Sequence, residues 1–81
     1  METKEMIDIQ FVRANGSIFL NGSKEMNEEI MDYLLTKNYD VFFAQNINDE
    51  NVTRVRPADD KILLDIIKYT VKNGICSEIL I

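Results

Sequence analysis

The side chains able to do chemistry are unevenly placed along the 81 residues. Fourteen are Asp or Glu, nine are Lys or Arg, and none is His. Glu25, Glu28, Glu29 and Asp32 stand at i, i+3, i+4 and i+7, the spacing that lines one face of a helix. Such a ridge can dock a basic partner. It can equally be a solvated face whose like charges repel, with only Lys24 near to offset them and the helix N-terminus to favour them. Arg54 and Arg56, two residues apart, share one face of a strand. Paired guanidiniums can grip a carboxylate or phosphate, or, on an edge strand, deter pairing with another chain. No glycine or lysine stands beside them to complete an anion pocket. The acidic helix face is the first candidate for partner binding and the arginine pair the second.

Catalysis finds little support. Without His, the commonest general base and metal ligand is missing. Ser17, Ser23 and Ser77 have no base near them in sequence and no nucleophile motif around them. Gly16, Gly22 and Gly74 fall at turns and helix ends rather than in a phosphate-binding loop. A second acidic group, Asp49, Glu50, Asp59 and Asp60, matches no calcium loop. Carboxylates alone can run glycosidic or phosphoryl chemistry, but enzymes of that kind need a cleft that calls for a larger chain. The expectation is a protein that is not an enzyme, with no catalytic residue, metal or cofactor. Cys76 is single, so it forms no internal disulfide, and nothing beside it would lower its pKa; it reads as a small core residue. Tyr33, Tyr39 and Tyr69 fall at element boundaries, where a ring packs and a hydroxyl reaches water.

The elements that must position these groups follow from periodicity. Ile7, Ile9 and Phe11 alternate with Asp8 and Gln10, the pattern of a half-buried strand. Asn15-Gly16 then predicts a type I′ hairpin, in a register that sets Phe11 opposite Leu20 and Val12 opposite Phe19. Asn21-Gly22-Ser23 breaks the second strand and offers a helix cap. Met26, Ile30, Tyr33 and Leu34 recur at helical spacing through about Lys37, with Asn38 as the stop. Val41 to Ala44, apolar on both faces, suits a central strand. Residues 46–51 read as a polar loop, and 52–56 as a short exposed strand that Pro57 ends. Asp59 or Asp60 can cap a second helix, whose buried stripe is Leu63, Ile66, Ile67 and Thr70, flanked by Ile62 and Val71. Asn73-Gly74 closes it, with Ile75 folding back. Ile79, Leu80 and Ile81 imply a strand docked inside the sheet.

The order is therefore ββαββαβ, an α+β domain with two helices packed on one face of a mixed four- to five-stranded sheet. The last six elements match the split βαβ pattern of ferredoxin-like folds, with the first hairpin extending one edge. Ile, Leu, Val and Met would build the core, with Phe11, Phe19, Phe42 and Phe43 as its largest pieces.

Length allows one domain spanning residues 1–81. A net charge of −5 argues against direct binding of nucleic acid, which needs a cationic face. The first residues, Met-Glu-Thr-Lys-Glu-Met, lack the basic start and apolar run of an export signal, and no stretch is long and apolar enough to span a membrane. A cytoplasmic setting is the expectation. The ending, a helix, Asn73-Gly74 and a short apolar strand, resembles that of barstar-type ribonuclease inhibitors, without any residue that carries their function. Size, acidity and lack of motif resemble small phage-encoded inhibitors in type. The reading is a small acidic protein-binding module, an inhibitor or regulator that occupies the basic surface of a partner such as a nucleic-acid-binding protein. The alternative is a homo-oligomeric module, for instance a homodimer, with a structural or small-ligand-sensing role.

Overall fold

A computed structural model describes residues 6–81; residues 1–5, the start of the stretch read above for an export signal, lie outside it. The elements are β1 (Ile9–Ala14), β2 (Ser17–Gly22), α1 (Lys24–Thr36), β3 (Phe42–Asn46), β4 (Asp49–Arg56), α2 (Asp60–Lys72) and β5 (Ser77–Leu80). Their order is the expected ββαββαβ, and the helices pack on one face of a five-stranded mixed sheet. Across the sheet the strands run β3-β4-β2-β1-β5, antiparallel throughout except for β1 beside β5.

Local chemistry explains the joints. Asn15 and Gly16 take φ of 53° and 73°, both positive as the type I′ turn requires, and Phe11 pairs with Leu20 and Val12 with Phe19. Ser23 caps α1 by accepting from the Met26 amide at 3.1 Å. Asn38 ends that helix at φ 60°. At the end of α2, Gly74 takes φ 66°, its amide bonds the Val71 carbonyl, and the Ile75 amide bonds that of Thr70, so the chain folds back as a Schellman closure. Asp59 holds the cap position of α2 without a capping hydrogen bond, and Asp60 instead pairs with Arg13 at 2.6 Å.

Four placements differ from expectation. The first hairpin does not extend an edge: β1 lies between β2 and β5. Its Ile9 and Phe11 are fully buried, which needs a strand on either side of them as well as a helix above. The apolar run of β3 forms an edge strand rather than a central one, since it pairs with β4 alone among the described residues, and its Phe42 lies uncovered on the face away from the helices. The loop expected over 46–51 is a two-residue turn at Ile47-Asn48, so β4 extends back to Asp49. Asn46 Oδ1 takes the Asn48 amide and Asp49 Oδ1 the Asn51 amide, bonds by which polar side chains tighten a turn. This lengthened β4 is interior, between β3 and β2, so Arg54 and Arg56 do not guard an edge. Finally, β5 does form, but at the opposite edge, with Ile79 half-buried and Leu80 and Ile81 exposed.

The core sits between helices and sheet. Ile9, Phe11, Ile18, Leu20 and Val55 meet Ile30 and Leu34 of α1 and Ile62, Leu63 and Ile66 of α2. Of the four phenylalanines expected there, Phe11 alone is fully buried. Phe43 packs at the core margin, while Phe19 and Phe42 have the opposite strand parity and point away from the helices. Val71, expected at the edge of the α2 stripe, is exposed, and Met26 and Tyr33 are only partly covered. Asn27 takes a core place instead, at 1 % exposure.

Candidate functional site

Strand parity fixes what the open face of the sheet displays. Phe19 of β2 stands opposite Arg54 of β4, while Phe42 and Ala44 of β3 stand opposite Arg56 and Arg54. Val12 and Val52 share this face, so two arginines rise from a largely apolar floor. Phe42 is 70 % exposed. Phe42, Arg54, Arg56, Pro57 and Gly16 line an open cleft of about 460 Å³. A smaller hollow of about 150 Å³ lies beside it, lined by Phe19, Ala44, Gln45, Asn46, Val52 and Arg54. Arg54 borders both. Among the described residues neither arginine has a carboxylate within ion-pair distance. The arrangement offers two guanidiniums and two aromatic rings to a ligand.

On the other side of the molecule, Glu25, Glu28, Glu29 and Asp32 are all exposed and share the outer face of α1. They are not equivalent. Glu29 turns toward α2 and accepts from the Tyr69 hydroxyl at 2.8 Å, and that bond raises the Tyr69 pKa above its ordinary value of 10.0. Glu25, Glu28 and Asp32 have no such partner among the described residues. The outer face of α2 carries Lys61, Lys68 and Lys72 at i, i+7 and i+11, all exposed. Between the ridges, Tyr33 and Tyr69 pack with ring centroids 4.3 Å apart, and Lys37 lies over the Tyr33 ring at 5.5 Å. Tyr39 donates to Asp65, so two of the three tyrosine hydroxyls are spent on holding α2 in place.

The structure thus separates the two candidate sets, acids outside the helices and arginines on the far side of the sheet. Asp49 and Asp59 do not converge with their neighbours on a cation site: among the described residues no three Asp, Glu or Cys side chains are grouped to hold a metal. Cys76 is half-buried just before β5, its amide donating to Asp8 Oδ2 at 2.9 Å.

Sequence reasoning missed three features. Composition assigns Phe19 and Phe42 to the core, although Phe42 has the parity of Arg56 across the hairpin. The lysine ridge was legible in its spacing. Asn27 shares the helical stripe of Ile30 and Leu34, where a polar residue signals a buried bond. Its Nδ2 donates to the Asn51 carbonyl at 2.9 Å and ties α1 to β4. Its Oδ1 is buried and has no hydrogen-bond partner among the described residues; it lies beside Gly22, where a Cβ would come within 3.2 Å of it.

No helix among the described residues is long and apolar enough to cross a membrane. No family model matches the sequence, and neither a curated protein nor a solved structure does.

Proposed function

We propose that the chain is a cytoplasmic protein-binding module that works by contact, inhibiting or regulating a partner by covering part of its surface, and that it docks through the open face of the sheet. The observation that carries this reading is Phe42, largely exposed and directly opposite the unpaired Arg56. An exposed aromatic costs free energy in water, and aromatic and arginine side chains are the types that dominate binding energy in interfaces. Paired strands fix the backbone that carries these side chains, so docking has only their rotamers to order. The chain is acidic overall, and β4 begins with Asp49 and Glu50, but its far end sets Arg54 and Arg56 beside Phe42, suited to a partner that offers carboxylates around an apolar patch.

The test compares variants in affinity capture from the native cell, with retained proteins identified by mass spectrometry. Phe42→Ala with Arg56→Glu should lose proteins that the parent retains, while reversal of Glu28 and Asp32 to Lys should keep them. Identical sets for the parent and the open-face variant would end this reading.

A second reading rests on Glu25, Glu28 and Asp32, which have no partner within the described molecule. It makes the acidic ridge a docking surface for a basic protein. Strong salt dependence, together with loss of capture by the acid-reversed variant alone, distinguishes it.

A further inference from the structure

The basic surface that fits the acidic ridge is present on this chain. We infer that the outer surface of the helix pair is a self-complementary interface, in which the acidic ridge of α1 in one copy lies over the lysine ridge of α2 in a second copy.

The helix layer is divided by sign. Glu25, Glu28, Glu29 and Asp32 line the outer face of α1, whereas Lys61, Lys68 and Lys72 line that of α2. The two acids of α2 that would blunt its ridge are engaged elsewhere, Asp60 with Arg13 and Asp65 with Tyr39. Tyr69 fixes the relative height of the helices, since it packs on Tyr33 and donates to Glu29. The acidic stretch of α1 therefore lies level with Lys68 and Lys72.

A two-fold axis running along the groove between the helices preserves height and exchanges α1 for α2. It places Glu28 and Asp32 of each copy across from Lys68 and Lys72 of the other, and the contact closes on itself as a dimer. Tyr33 and Tyr69 lie along the axis, where a shallow groove of about 290 Å³ is lined by them with Lys37, Lys68, Lys72 and Asn73. Tyrosine supplies apolar contact at low entropy cost at such a seam. The pairing leaves the open sheet face of both copies outward, so it is independent of docking there. It rests on the second reading above and names the partner.

The experiment is a charge swap followed by sedimentation. The parent at high concentration and low ionic strength should sediment as a dimer, and at about 1 M salt, where screening falls to roughly 3 Å, as a monomer. Glu28→Lys with Asp32→Lys should weaken association at least about tenfold, and Lys68→Glu with Lys72→Glu should do the same. Mixing the two variants should restore a dimer, because each then offers the sign the other lacks. Far-UV circular dichroism and melting curves confirm that both variants are folded, and the neutral pair Glu28→Gln with Asp32→Asn serves if a reversal unfolds the chain. A monomeric parent at low salt, or a mixture no more associated than its components, overturns the inference. Capture of a foreign basic protein through the same ridge would then still decide the second reading by itself.

Discussion

The open face of the sheet and the outer face of the helix pair cover opposite sides of one core, yet they are built from different materials. On the sheet, Phe19, Phe42, Val12 and Val52 form an apolar floor beneath Arg54 and Arg56. On the helices, four acids face three lysines across a tyrosine seam. On the sheet face the apolar contacts tolerate salt, and Arg54 and Arg56 add a part that salt screens. A helix face of long charged side chains must order them and strip their water, so its contacts are weaker and screened by salt. One small domain thus presents an apolar, arginine-bearing face and a charged helix face on opposite sides of its core.

The largest effect should separate the covered face of the sheet from the open one. Phe11→Ala empties the core and should lower unfolding free energy by about 3–5 kcal/mol in urea denaturation. Phe42→Ala, the same change on the open face, should stay within about 0.5 kcal/mol. Similar losses for the two would break the distinction between a covered and an open face.

A smaller effect belongs to Gly16, which closes the first hairpin and lines the cleft beside Phe42 and Arg56. Its φ of 73° lies in the left-handed region, while no neighbouring atom obstructs an added Cβ. Gly16→Val should therefore cost more than ~1 kcal/mol through backbone strain alone. An unchanged denaturant midpoint would remove the type I′ turn.

The helix layer is sharpened by pH. The neutral Tyr69 phenol is favoured in the folded state because it donates to Glu29, so its folded pKa lies above the unfolded value. The stabilisation it brings is fully present below pH 10.0 and is lost as pH rises through the raised folded value. Melting temperatures of the parent and of Tyr69→Phe should differ by a constant amount up to that pH and converge above it. A difference independent of alkaline pH would dissolve the link between the helices.

The smallest effect is expected for the exposed acids. Reversing Glu28 and Asp32 to Lys should change stability by about 0.5 kcal/mol or less each, by thermal denaturation at 0.15 M salt. A large loss would make the ridge part of the fold rather than a surface.

Much of this architecture was legible because local rules agreed with one another. Asn15-Gly16 specified both the turn and the register of β1 on β2, since only residues tolerant of positive φ close a two-residue hairpin. Ser23, Asn38 and Gly74 marked helix ends for equally local reasons. The candidate sets were also legible as sets: helical spacing put Glu25, Glu28, Glu29 and Asp32 on one face, and strand spacing put Arg54 and Arg56 on another.

The identity of each element and the grouping of residues on it are local properties, because backbone dihedrals and periods of 3.6 and 2 act within a few residues. Which face of each element is covered, and which strand lies at an edge, depends on the packing of distant segments. A run such as Val41 to Ala44 reads alike whether a strand is central or peripheral, because burial depends on what packs above it. That is why Phe42 stands in solvent beside Arg56 while Phe11 is enclosed, and why Asn27 reaches across to Asn51 beneath a helix.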